Sequence, residues 1–296
     1  MSAFLATASS CSELGGAEDP SLDFCLWPYE PRALKSAQAL RGVSILRRAA
    51  EIAACGDSYG ALIASVQRAI GPFRTVWGVK WNGAALSSEL YFYDYARLER
   101  EVPFASLRQA MKQHIAVSDC VDDSIPYFMV SVEAPMNPGA FPHRANSVDL
   151  YIGNPGSAVS SGICYELRPG AKELKNFYFF FDRASAWEDI QAKLACSAQV
   201  PPVRMSFDDL LLPWLTDCRV VVVANKRNAD ALYFSGIDVD QLILFLRHFR
   251  YPPALIGYVE TERNNFRHLQ FDAGFDFRLD AEGRLRVQKS GFYNVF

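Results

Sequence analysis

Past residue 35 the chain switches between two spacings of apolar residues. Ala39, Val43, Leu46 and Ala50 recur at helical spacing, and Tyr59 to Ile70 forms a second amphipathic stretch that Gly71-Pro72 stops. The period then changes to two. Thr75 to Trp81 and Glu89 to Tyr95 flank an Asn82-Gly83 turn, which predicts a β-hairpin. Four further pairs follow. Tyr127 to Glu133 and Val148 to Gly153 lie across a Pro-rich loop. Ile163 to Arg168 and Asn176 to Asp182 flank Pro169-Gly170. Val220 to Asn225 precedes Ala231 to Ser235, and Leu269 to Arg278 reaches Leu285 to Tyr293 through Asp280 to Gly283.

Helical patterns separate most of these hairpins. Ala96 to His114 follows the first. Ser185-Ala-Trp-Glu188 after the third has the form of a capping box, and Ser206-Phe-Asp-Asp209 opens another helix. Asp238 and Gln241 begin a strongly apolar helix that ends at Tyr251-Pro-Pro, and Ala254 to Phe266 follows. Only the second and third hairpins lack a helix between them. Ten antiparallel strands must hide their edges, and closure into a barrel wrapped by external helices does so completely. The expected fold is therefore α+β: a ten-stranded antiparallel barrel over residues 36–296, preceded by a loosely ordered arm, 1–35, rich in Ser, Gly, Pro and acid. Ten strands enclose more room than side chains alone fill, so a ligand-sized chamber is expected inside.

Strand parity sorts the two faces. Asn176, Tyr178 and Phe180 oppose Phe177, Phe179 and Phe181. Tyr233 and Ser235 oppose Leu232 and Phe234, while Glu89, Tyr91 and Tyr93 oppose Leu90 and Phe92. On the last strand Arg286, Gln288 and Ser290 oppose Val287 and Lys289. The apolar faces suit helix packing, and the faces mixing Tyr with polar groups suit a partly wet chamber. Tyrosine is also an ordinary strand residue.

Composition narrows the classes. The 296 residues carry a net charge of −3 and are 13% aromatic. The first number argues against a protein that coats nucleic acid or anionic membrane. No apolar run approaches the roughly 20 residues of a spanning helix. Seven cysteines at wide spacings, without CxxC, read as reduced thiols of a cytoplasmic protein. Asp119-Cys-Val-Asp122-Asp123 reads as a solvated loop, and the four histidines have no metal-ligand spacing. Nucleotide-binding, zinc-protease and serine-hydrolase motifs are absent.

Three stretches carry a family resemblance: Thr75-Val-Trp-Gly-Val-Lys80 with the strand after it, Asp230-Ala-Leu-Tyr233-Phe-Ser-Gly, and Gly274-Phe-Asp-Phe-Arg-Leu with Arg286-Val-Gln-Lys289-Ser. With the hairpin architecture, they resemble the ABBA-type aromatic prenyltransferases, which include soluble bacterial enzymes acting on phenols and cyanobactin-type peptide prenyltransferases. The resemblance implies a prenyl diphosphate donor, dimethylallyl or geranyl, and an aromatic small molecule or a peptide side chain as acceptor. That family tends to carry basic residues on its second strand, where this chain has Glu89 and tyrosines.

Such chemistry ionises an allylic diphosphate. It needs Lys or Arg at the leaving group, aromatic faces around the cation and exclusion of water. Lys80 and Arg286, on strands that become neighbours on closure, are the first candidates for diphosphate binding, followed by Lys226, Lys289 and Lys175. Tyr91, Tyr165, Tyr178 and Tyr233 are candidates for the cation shield, with Glu89 as candidate base. No protein-held metal is expected; Mg2+ could accompany the diphosphate. The rival reading is a non-catalytic barrel that binds a hydrophobic small molecule or a peptide, for which basic groups inside the chamber are not needed.

Overall fold

Antiparallel pairing that begins at Thr75 ends by returning to the same strand. The computed structural model describes residues 12–16, 19, 37–94, 97–154, 160–205 and 207–295. Its strands are β1 (Thr75–Trp81), β2 (Leu86–Tyr93), β3 (Ile115–Ala116), β4 (Met129–Pro135), β5 (His143–Arg144), β6 (Val148–Asn154), β7 (Ser160–Arg168), β8 (Ala171–Asp182), β9 (Val220–Lys226), β10 (Asp230–Ile237), β11 (Phe271–Leu279) and β12 (Leu285–Val295). All but the short parallel pair β3 and β5 form one closed antiparallel barrel, in the order β1-β12-β11-β10-β9-β8-β7-β6-β4-β2. Closure is made by β1 against β12, from Val76↔Val295 to Trp81↔Ser290. This is the barrel that the strand pattern and the prenyltransferase resemblance imply.

Helices α1 (Val43–Ile52), α2 (Gly56–Ile70), α3 (Phe104–Met111), α4 (Trp187–Ala195), α5 (Phe207–Leu210), α6 (Val239–His248) and α7 (Pro253–Thr261) belong to the segments before and between the strand pairs. The main core lies between them and the outer barrel face. There Trp77, Phe234, Phe275, Phe277 and Phe292 pack with Leu46, Tyr59, Leu62, Phe245 and Tyr251. Each such side chain contributes about 1.5–3 kcal/mol through burial. Hydroxyl contacts pin the outer layer to strands: Tyr59 of α2 and Ser88 lie 2.5 Å apart, and the Ser290 hydroxyl reaches that of Tyr251, between α6 and α7, at 3.2 Å.

Several sequence expectations are corrected. The helix expected over 96–114 is interrupted at Pro103, whose backbone is extended, so α3 starts only at Phe104. Ser185 does not cap α4, because its backbone amide and hydroxyl both turn back to Asp182. The helix expected over 254–266 stops as an α-helix at Thr261 and continues as a 3-10 turn. Ser206, Tyr95 and most of the 1–35 arm lie outside the described residues. Within the arm, Leu14 bridges to Leu40, and Arg41 pairs with both Glu13 and Asp19.

The capping box at α6 is complete. The Asp238 carboxylate accepts from the Asp240 and Gln241 amides at 2.9 Å, and Gln241 accepts from the Asp238 amide at 2.9 Å. Asp238→Ala should therefore cost about 0.5–2 kcal/mol in denaturant unfolding. Ser185→Ala, at an exposed turn, should stay within about 0.5 kcal/mol of wild type in the same measurement.

Candidate active site

Five alternate strands of the barrel, β2, β6, β8, β10 and β12, each contribute one tyrosine to a single inward-facing layer. The rings of Tyr91, Tyr293, Tyr233, Tyr178 and Tyr151 follow one another round the wall with centroids 5.8, 6.1, 6.4 and 6.0 Å apart. The strands between them carry small residues at the facing positions. Gly78 pairs with Tyr293, Gly274 with Tyr233, Ala224 and Gly162 with Tyr178, Cys164 with Tyr151 and Ser131 with Tyr91. The space is occupied by the rings themselves. A Cβ on Gly274 would lie 2.3 Å from Tyr233, and one on Gly78 would lie 2.5 Å from Tyr293.

The tyrosine layer divides the lumen. Towards the hairpin turns lies a polar compartment, and on the other side lies an apolar one that adds Tyr93, Phe128, Met129, Phe180 and Val222. The phenol tips are bonded on the polar side. Tyr91 donates to Glu89 at 2.9 Å, Lys226 donates to the Tyr233 hydroxyl at 2.8 Å and Asn176 to that of Tyr178 at 2.8 Å. Ser131 and the Tyr151 hydroxyl lie 3.3 Å apart. Burial raises all five phenols well above their ordinary range, so they stay neutral.

The polar compartment holds four lysines, each against a carboxylate. Lys80 pairs with Glu89, Lys175 with Asp149 at 2.6 Å, Lys226 with Asp276 at 2.7 Å and Lys289 with Asp276 at 3.5 Å. Glu133 stands 4.0 Å from Lys80 and is open to solvent. Burial works against the Lys80 ammonium, but Glu89 outweighs it and raises the lysine above its usual range. Burial also works against the Glu89 carboxylate. Lys80, Lys175 and the Ser131 hydroxyl overcome it and bring Glu89 down to about 2. Asp149 goes the other way. Burial and the charge of Glu89 push it up to about 6 despite Lys175. Lys289 is lowered, first by the charge of Lys80 and then by burial.

The structure brings Lys80, Lys175, Lys226, Lys289, Glu89, Tyr91, Tyr178 and Tyr233 into one lumen. It does not bring Arg286 or Tyr165 there. A bulge shifts the register between Asp276↔Lys289 and Phe277↔Val287, leaving Gln288 as the extra residue of β12. On the regular part of β12 beyond that bulge, Lys289, Gly291 and Tyr293 face inward, whereas the sequence reading assigned the inward face to Arg286, Gln288 and Ser290. Arg286 is half exposed and bonds Asp280 of the hairpin turn at 2.9 Å. Tyr165 follows inward-facing Cys164, so its ring packs on the helix-side core with the Lys172 ammonium 4.5 Å above it. A second bulge, between Cys164↔Asn176 and Tyr165↔Leu174, leaves Lys175 unpaired in the ladder and free to reach Asp149.

Sequence reasoning missed Tyr151, Tyr293, Asp149 and Asp276. The signal was present for the first three. Asp149-Leu-Tyr151 has the same alternation as Glu89-Leu-Tyr91, and Tyr293 shares parity with Lys289.

No protein-family model matches the chain, and no curated protein does. Solved structures similar to it include 5-dimethylallyl tryptophan synthase from Streptomyces coelicolor in complex with DMASPP and Trp. That match has 11% identity and a TM-score of 0.48, covering 84% of this chain and 92% of that one. A second structure of the Streptomyces coelicolor enzyme matches at 12% identity and a TM-score of 0.49, covering 84% and 94%.

Two outcomes test this geometry. Gly274→Ala should cost about 1–3 kcal/mol in unfolding experiments, since the new methyl meets Tyr233 and the Leu232 carbonyl. Glu89→Gln should cost about 3 kcal/mol at pH 7 by leaving Lys80 without its counter-charge. Because the folded pKa of Glu89 is depressed, its stabilisation is present above its ordinary value of 4.5 and fades as pH falls towards about 2. The gap between wild type and Glu89→Gln in unfolding free energy should narrow over that window.

Proposed function

We propose that the barrel is a prenyltransferase, moving a dimethylallyl or geranyl group from its diphosphate to an aromatic or peptide side-chain acceptor through an allylic cation. The observation that carries the reading is the stacking of the two layers: four lysines on the polar side, and directly beneath them a ring of five neutral phenols. Lys80, Lys226, Lys289 and Lys175 would hold the leaving diphosphate by charge-assisted hydrogen bonds. The prenyl chain would lie through the tyrosine layer, where π-faces stabilise a cation without trapping it. The apolar compartment below would hold the acceptor and keep water away.

Each lysine already faces a carboxylate, so an incoming diphosphate has to replace Glu89, Asp149 or Asp276 as the lysines' partner. This charge balance favours the second reading, a barrel that binds a hydrophobic molecule without chemistry. Mg2+ would enter as the counter-ion of the diphosphate. Free cysteines at 55, 120, 164, 196 and 218 fit a reducing, cytoplasmic setting.

The test is incubation of the full chain with dimethylallyl or geranyl diphosphate, Mg2+ and a panel of phenol, tryptophan and tyrosine-containing peptide, followed by product analysis. Prenylated acceptor is expected, and Tyr233→Ala should shift product towards free prenyl alcohol while Tyr233→Phe should not. Lys226→Ala should weaken donor binding by about 1.5–3 kcal/mol. Arg286→Ala should leave it unchanged, given its partner Asp280 outside the lumen. Binding of the prenyl alcohol with no consumption of any donor would favour the non-catalytic barrel.

A further inference from the structure

The lumen does not end at its apolar mouth. A second cavity starts there, and Val76 and Tyr93 line both it and the apolar compartment. It continues over the barrel rim to the outer wall. There Phe92 and Val130 pair between β2 and β4 and share the core with Ile70 of α2 and Leu107 of α3. The floor of the cavity is apolar and buried, but its edge is open. On that edge Arg74 and Glu101, both exposed, form an ion pair at 2.6 Å. An apolar floor inside a charged rim is the anatomy of a docking surface.

The chain on either side shapes the opening. Among the described residues between β2 and α3 the only helical turn is Arg97–Glu99, and α3 starts after the extended Pro103. Glu101 and Val102 of this segment line the cavity. Across from it Phe73 lines the cavity with φ 63, a left-handed conformation uncommon for a bulky residue. The Arg41 guanidinium lies 5.0 Å over the Phe73 ring. Strained residues held by their surroundings cluster at ligand clamps.

We propose that this cavity is a docking groove for the main chain of a polypeptide acceptor, whose aromatic side chain enters the barrel past Val76 and Tyr93; this rests on the prenyl-transfer reading above and commits it to a peptide over a free phenol. Tyr93 follows Tyr91 by two residues on the same strand face, about 7 Å along the strand. One aromatic side chain spans that distance, so a residue whose backbone lies in the groove brings its ring to the tyrosine layer. A free phenol is satisfied by the apolar compartment alone and has no use for a groove beyond it. A plain hydrocarbon has no use for Arg74 and Glu101. Their exposed ion pair adds little to stability and exchanges readily for the charges of a partner. A peptide offers both signs of charge beside its apolar side chains.

The test uses the full chain with dimethylallyl diphosphate, Mg2+ and tyrosine or tryptophan as acceptor, each in a short and a long form. The short form is the N-acetyl amide; the long form is a peptide of about ten residues with the same residue at its centre, long enough to fill an extended groove. In wild type kcat/KM for the peptide should exceed that for the capped residue by about tenfold. Val102 is half-buried in the groove wall. Val102→Arg should bring the ratio to about one, chiefly through KM for the peptide, and Val102→Ile should keep it. Both substrates meet the same folded fraction, so the ratio does not depend on how much of a variant folds. Without donor, a peptide carrying a benzophenone beside its aromatic residue should cross-link wild type at Phe73, Tyr93 or Val102. A ratio near one in wild type, an unchanged ratio in Val102→Arg, or adducts only elsewhere overturns the inference while prenyl transfer stands. Adducts displaced by prenyl alcohol as readily as by unlabelled peptide would assign the cavity to a small hydrophobe and overturn it too. A chain that prenylates no acceptor yet cross-links at these residues overturns the prenyl-transfer reading and leaves the groove as the peptide site of a non-catalytic barrel.

Discussion

Five tyrosine rings fit side by side across one barrel only because the strands between them give up their side chains. Gly78, Gly274 and Gly162, with Ala224, Ser131 and Cys164, face tyrosines across the ladder, and two of these glycines touch ring atoms where a Cβ would stand. The alternation of large and small residues round the wall fixes the height of the ring layer. That layer in turn separates a polar compartment from an apolar one, with phenol tips on one side and ring faces on the other. The large-small alternation is thus a packing solution whose consequence is chemical.

The charges above the layer follow a second constraint. Lysines in a narrow lumen repel one another, as the effect of Lys80 on Lys289 shows. The carboxylates of Glu89, Asp149 and Asp276 supply the counter-charge. The resulting network is close to neutral, yet it consists of cations ready to change partners. A diphosphate would replace carboxylates one for one rather than enter a bare positive site, so its binding should be weaker and more selective than the lysine count alone implies.

Much of this was legible in the sequence. Period-two runs separated by Asn-Gly, Pro-Gly and an Asp-Ala-Glu-Gly turn marked the first, third and fifth barrel hairpins, a polar turn marked the fourth, and parity placed Glu89, Tyr91, Tyr178 and Tyr233 on the inner face. Parity failed on β12 and where β8 gains a residue. On β12 the other face lines the lumen: Lys289, Gly291 and Tyr293 share it by plain alternation, and past the extra residue Gln288 the strand end carries Arg286 to Asp280 of the turn. The bulge at Lys175 brought in a lysine that strict alternation cannot assign. Bulges depend on tertiary closure of the barrel, and neither site carries a glycine or another local mark. Tyr165 has the residue type but not the parity of the shield, because its neighbour Cys164 holds the inward position. Of the carboxylates opposite the lysines the sequence reading names Glu89 alone, although charge compensation in a closed lumen requires Asp149 and Asp276 as well.

The most direct test is a crystal structure of the full chain with dimethylallyl thiolodiphosphate. The diphosphate is expected between Lys80, Lys226 and Lys289, with Asp276 displaced from at least one lysine and the prenyl carbons against the rings of Tyr233 and Tyr293. A diphosphate bound outside the lumen, or a prenyl chain in the polar compartment with the tyrosine layer untouched, would contradict it.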